Sequence, residues 1–172
     1  MSKYTYNKDY FTTINTPEKA YWLGFLYADG CITRFYKGEQ LRSMSLELTL
    51  KSEDKKHLEK FRDALGANVP IQDRTIAKKY AANRIVINNT KMCNDLIKLG
   101  CTPKKSLTLT FPTEQQVPSP YISHFIRGYF DGDGCVSYTE HEVYHKQKKK
   151  FYKQYSYLCG FTGNEQFISA IK

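Results

Sequence analysis

The sequence predicts an α+β protein built from two pseudo-symmetric α-β-β-α-β-β-α halves with antiparallel sheets, the second half incomplete. Three observations carry this. The nonapeptide Trp22-Leu23-Gly24-Phe25-Leu26-Tyr27-Ala28-Asp29-Gly30 recurs as Ile126-Arg127-Gly128-Tyr129-Phe130-Asp131-Gly132-Asp133-Gly134, with Asp29 and Asp133 104 residues apart. Both copies run on into Cys and a β-branched residue, Cys31-Ile32 and Cys135-Val136. After each copy the apolar period changes from helical to alternating and back, as repeated supersecondary units require.

The elements follow in order. Thr16 can cap a first helix, Pro17 suits its first position, and Glu18 complements the positive end of the dipole. That helix runs to about Ala28, with Gly30 as its stop. A strand from Cys31 to about Lys37 and a turn at Lys37-Gly38-Glu39-Gln40 lead into residues 41–50. There Met44, Leu46, Leu48 and Leu50 alternate with Ser43, Ser45, Glu47 and Thr49, one dry face and one polar. Ser52 is the expected cap of a second helix, with Leu58, Phe61 and Leu65 inward and Gly66 as its stop. Residues 71–79 and 84–88 read as a second hairpin, and 90–99 as a third helix stopped by Gly100.

Residues 1–100 thus make a first half with an N-terminal extension, and 101–118 a linker with a β-like run at 107–111. Residues 119–172 restart the cycle: a helix opening at Ser119-Pro120, a strand from Cys135, another over 151–162, and a helix capped by Asn164. Seventy-one residues separate Asp29 from Gly100, but only 39 separate Asp133 from Lys172. By this comparison the second half is short by about 32 residues. The chain therefore reads as C-terminally truncated, with Phe167 and Ile171 expected to find little to pack on.

Composition narrows the partner. The formal charge of +9 and pI of about 9.2 favour an anionic partner, nucleic acid before membrane. Five cysteines with no Cys-x-x-Cys pair point to a reducing compartment, without a disulfide framework or zinc site. His141 and His145 lie four apart with no third ligand nearby, and read as a solvated loop. No apolar run approaches the roughly 20 residues of a membrane span, and no signal peptide opens the chain. A soluble, intracellular protein is expected.

The repeated motif has chemistry of its own. Ala20, Gly24 and Ala28 form a stripe of small residues on the first helix, so Gly24 and Ala28 can face Gly128 and Gly132 at close range. Such packing brings Asp29 and Asp133 together where each helix hands over to its strand. Adjacent carboxylates repel unless a divalent cation lies between them, and hard oxygen ligands suit Mg²⁺, with Mn²⁺ as a substitute. A cation so held suits phosphodiester hydrolysis.

Both nonapeptides resemble the signature of the LAGLIDADG homing endonucleases, over about residues 18–172 and in the single-chain, two-motif form. Asp29 and Asp133 match the metal-binding acidic position, and Gly30 and Gly134 the glycine after it. The first motif departs at Tyr27, where the family often has Asp in a structural role. The resemblance implies a saddle of two sheets over duplex DNA, acting as a monomeric pseudo-dimer. It also implies double-strand cleavage across the minor groove with short 3′ overhangs, as in intron homing. Base contacts would come from Thr33, Phe35 and Lys37, from Ser43, Ser45, Glu47 and Thr49, and from Gln72, Arg74, Arg84 and Asn88. In the second half Ser137 and Thr139 match by offset. A catalytic basic residue is expected at Lys104 or Lys105. The alternatives are a group I intron maturase, with intron RNA as partner, and a non-catalytic DNA-binding regulator. The missing length implies that residues 1–172 alone cleave poorly.

Overall fold

The computed structural model describes residues 3–77, 79–105 and 108–171. Helix α1 (Pro17–Asp29) starts as the sequence suggests: Thr16 Oγ1 accepts from the Lys19 N–H at 3.2 Å, and Pro17 opens the first turn. Gly30 does not end it in a left-handed turn. Its backbone is extended (φ −70°, ψ 141°), so α1 passes directly into β1 (Gly30–Lys37). A side chain at Gly30 would collide with Leu26: its Cβ would stand 2.6 Å from that carbonyl oxygen.

Strand β2 (Gln40–Lys51) pairs with β1, then with β4 (Tyr80–Asn88), whose other edge takes β3 (Gln72–Ile76). The four-stranded sheet is antiparallel throughout, in the order β1-β2-β4-β3. Ser52 is not the expected cap: it begins a 3₁₀ turn, Ser52–Asp54, and no side chain caps either this turn or α2 (Lys55–Ala64). Helix α3 (Thr90–Lys98) is capped by Asn89, whose Oδ1 accepts from the Met92 N–H at 2.8 Å. Gly66 and Gly100 end α2 and α3 with φ of +57° and +97°, the left-handed stop that glycine permits.

Both helices lie on the dry side of the sheet, over Met44, Leu46, Leu48, Ile85 and Ile87, all buried. Residues 3–16 have no helix or strand but are tied down. Asn7 N–H donates to the Leu65 carbonyl at 2.8 Å, and Asn68 N–H to that of Thr5 at 3.1 Å. Tyr10, Phe11 and Ile14 are buried there. Single aromatic anchors, not a continuous face, hold this segment, which is why it shows no period.

In the second half a 3₁₀ turn, Ser119–Tyr121, precedes α4 (Ile122–Asp133), so the helix expected to open at Ser119-Pro120 starts three residues later. No strand forms at 108–111, and Leu107 lies outside the described residues. Strands β5 (Gly134–His145) and β6 (Lys150–Phe161) form a hairpin with an unbroken register. His141 and His145 are thus strand residues, not a loop. Asn164 caps α5 (Glu165–Ser169) through a 2.8 Å bond from the Phe167 N–H.

Phe167 corrects the sequence reading. It is fully buried, 4.4 Å from Tyr129 and 5.7 Å from Phe111, centroid to centroid, and it closes the core between the halves. Ile171 packs against the same cluster. The hairpin above is different. Val136 occupies the register position of Ile32 but is 68% exposed against 5%; Tyr157 occupies that of Met44 and is 79% exposed against 2%. In the first half α2 and α3 cover those positions.

Candidate nucleic-acid and metal site

The packing of α1 on α4 sets the site. A Cβ on Gly24 would run into the Phe125 carbonyl, and one on Gly128 into that of Tyr21. A Cβ on Gly132 would strike Ala28 and come within 3.1 Å of Asp29 Oδ2. The two backbones therefore touch where only glycine lets them. Their C-terminal ends emerge together, carrying Asp29 and Asp133.

Asp29 keeps an exposed edge, yet its carboxylate is crowded by the second helix. Desolvation, then the like charge of Asp133, hold its carboxyl above the ordinary value, while Lys105 pulls it back. Asp133 is also raised by desolvation, with Lys105 and the Tyr129 hydroxyl acting against the rise. Each carboxylate thus gains from a nearby positive charge. Lys105 supplies one: its Nζ donates to the Gly30 carbonyl at the end of the first motif. Lys104 is exposed, in left-handed backbone at φ +57°. Of the two candidate lysines, the structure brings Lys105 to the carboxylates. The Gly30 carbonyl is engaged by Lys105 and the Gly134 N–H by the Phe130 carbonyl, so both glycines serve the close helix–strand turn.

Beside Asp29 lies a cleft of about 550 Å³, walled partly by Thr49, Lys51, Asp54, His57 and Asp131. Here Tyr21 Oη donates to Asp131 Oδ2 at 2.7 Å and lies 3.1 Å from His57 Nε2, joining α1, α4 and α2. Desolvation lowers the His57 pKa, and Asp131 partly restores it. Of Thr49, Lys51, Asp54, His57 and Asp131, the sequence singles out only Thr49, although Asp131 stands inside the second motif and Lys51 directly ends the polar strand. Asp131 and Tyr27 hold matching positions. Tyr27 turns the other way: its hydroxyl donates to the Leu99 carbonyl at the end of α3, and its ring packs edge-on to Phe125 of the second half at 4.9 Å.

The polar face of the first sheet gathers most of the base-reading candidates. Thr33 pairs with Ser45 and Phe35 with Ser43; Ser45 pairs with Asn88, Thr49 with Arg84, and Arg84 with Gln72. Arg74 follows Gln72 on the edge strand, and Lys37 pairs with Gln40 at the tip. Ser45, however, is only 3% exposed, a short side chain sunk between its row neighbours, so it cannot reach outward. Arg84 is held by Glu47 at 3.2 Å and Gln72 at 3.1 Å, a part-buried network that fixes its guanidinium. In the second half Thr139 Oγ1 lies 2.6 Å from Ser156 Oγ. The register adds Ser156, and His141 beside Gln154, to the face of Ser137 and Thr139. Period-2 alternation along β6 was the signal for these.

Among the described residues no group of three or more His, Cys, Asp and Glu side chains could hold a metal, and no helix is long and apolar enough to cross a membrane. The donor set is two carboxylates with hard oxygen donors, Asp29 exposed and Asp133 part-exposed. That fits a hydrated cation of the Mg²⁺ type, which keeps several waters and takes few protein ligands.

Comparison with known proteins bears on the fold. Residues 120–160 match the LAGLIDADG-like domain family. No curated protein matches. Among solved structures, the I-LtrWI LAGLIDADG homing endonuclease bound to target DNA aligns over 87% of this chain with a TM-score of 0.50 and 12% identity. I-SmaMI bound to an uncleaved DNA target with calcium ions aligns over 83%, with a TM-score of 0.49 and 12% identity. This chain spans 65% of the I-LtrWI chain's length and 66% of that of I-SmaMI. Two motif helices packed through glycines, an antiparallel sheet rising from each and a matching domain at 120–160 make this a chain with the fold of the LAGLIDADG homing endonucleases.

Proposed function

We propose that the protein is a site-specific endonuclease of duplex DNA that hydrolyses phosphodiester bonds with Mg²⁺ at Asp29 and Asp133. The observation that supports this best is the carboxylate pair, placed by backbone contact between α1 and α4 and raised in pKa by its own crowding. Such a pair is electrostatically incomplete, and a divalent cation completes it. Asp29 and Asp133 would hold the ion. When bound, it supplies Lewis-acid stabilisation of phosphate charge and a water of lowered pKa.

The remaining work falls to side chains of this chain. Lys105, anchored on the Gly30 carbonyl, holds positive charge beside both carboxylates and would sit against the scissile phosphate. The Tyr21–Asp131–His57 string braces α4 against α1 and α2, keeping the two aspartates in place. Arg84, preset by Glu47 and Gln72, offers a planar fork suited to guanine in the major groove. Lysines on the sheet rim would meet phosphates and orient the duplex. Cleavage on both strands across the minor groove, with short 3′ overhangs, follows from the resemblance of the motif pair.

The test is a selection of cleaved or bound duplexes from a randomised pool with Mg²⁺. Asp29→Asn and Asp133→Asn should each abolish cutting while retaining binding. Cutting that persists in both variants would place the chemistry elsewhere.

A further inference from the structure

We propose that the tip of the β5–β6 hairpin is a phosphate clamp that grips duplex DNA beyond the stretch whose bases the sheets face. This rests on the reading of the protein as DNA-binding. The tip, Lys146-Gln147-Lys148-Lys149-Lys150, carries four positive charges and no acid. Its counterpart in the first hairpin, Lys37-Gly38-Glu39-Gln40, is neutral. The two tips also differ in reach. β5 has 12 residues where β1 has 8. Four extra residues at about 3.4 Å each extend the second hairpin by roughly 14 Å. Phosphates on one DNA strand recur about every 3.4 Å along the axis, so this reach spans about four of them.

Two of the tip lysines gather on one face. By the register, Tyr152 shares a face with Ser137, Thr139 and His141, the face equivalent to the polar side of the first sheet. Lys148 Nζ and Lys150 Nζ lie over the Tyr152 ring, 5.6 and 6.0 Å from its centroid, which gathers both ammonium groups on that side. The hairpin's two acidic residues, Glu140 and Glu142, project from the opposite face, where Lys153 pairs with Glu140 at 2.6 Å. Neither carboxylate opposes a phosphate approaching the lysine face.

The turn itself gives ground to charge. Lys149 adopts left-handed backbone at φ +47°, whereas Gly38 takes that role in the first turn at φ +60°. Glycine is the lower-strain residue at such a position. A lysine there favours a charged tip over an easy turn.

The experiment measures affinity for a selected duplex across a salt series. The quadruple variant Lys146→Gln, Lys148→Gln, Lys149→Gly, Lys150→Gln should flatten the slope of log affinity against log salt by about 3–4, near 0.9 for each phosphate no longer neutralised. Preference among mismatched duplexes should stay as in the wild type. Lys149→Gly alone should lower the slope by about 0.9 without lowering the thermal midpoint, which guards against a collapsed hairpin. Trimming the duplex on the second half's side should weaken wild-type binding more than that of the quadruple variant. A slope unchanged in the quadruple variant, or a change in base preference instead, would overturn the clamp. So would loss of affinity confined to a structured RNA. If the wild type binds no duplex even at low salt, the DNA-binding reading falls as well.

Discussion

Asp29 and Asp133 are held together by packing, not by attraction. Both carboxyls are raised above their ordinary value, so the native state binds their protons more tightly than the unfolded chain does. Their contribution is therefore favourable at low pH and is lost as pH rises through the raised values. At neutral pH without a divalent cation, Asp133→Asn should raise the thermal midpoint, and the gain should shrink on acidification into the carboxylate range. A cation should stabilise the wild type more than this variant, by thermal melts with and without Mg²⁺. An unchanged midpoint at every pH would show that the pair is not strained. Tyr27→Phe acts in the same last turn of α1. It leaves the Leu99 carbonyl without its buried donor and should cost about 1–2 kcal/mol in denaturant unfolding.

At the scale of elements, the α1–α4 contact is the least forgiving part of the fold. Gly24 and Gly128 each lie against the partner helix's backbone, which cannot move aside as a side chain can. Gly128→Ala should therefore destabilise by at least the roughly 1–3 kcal/mol typical of overpacking, and should impair cleavage more than binding. Equal losses in both would point to general unfolding. On the sheet, Glu47→Ala would leave Arg84 part-buried with only Gln72 as partner. Under the proposed reading, in which Arg84 faces a base pair, it should relax discrimination there, seen as a flattened preference in a duplex panel.

For the whole molecule, the core runs from the N-terminal segment through the helix pair to α5. Phe167 ties the end of the second half into the aromatic cluster of Tyr27, Phe111 and Tyr129. Phe167→Ala should cost about 3–5 kcal/mol, the scale of emptying a buried aromatic site. A cost under about 1 kcal/mol would mean that α5 does not belong to the cooperative unit. The halves remain unequal at their outer ends: a four-stranded sheet roofed by two helices stands opposite a long hairpin with Tyr138, Tyr155 and Tyr157 exposed.

The sequence by itself determined the repeat, the order of elements in both halves, the dry and polar faces of β2, and the two aspartates. Each is written in local spacing, legible along the chain. It also supplied the small-residue stripe, because glycine at helical intervals has few other uses. Tertiary structure decided what depends on distance across the chain. Lys105 rather than Lys104 lies near the carboxylates because the linker folds back onto Gly30, 75 residues earlier. Ser45 lies in the polar row yet is sunk between its neighbours. Phe167 finds a core assembled from three distant segments. The cleft of His57, Asp131 and Lys51 exists only where α1, α2, α4 and the end of β2 converge. Periodicity reports which face a residue takes, but burial and partnership are set by what the rest of the chain brings to that face.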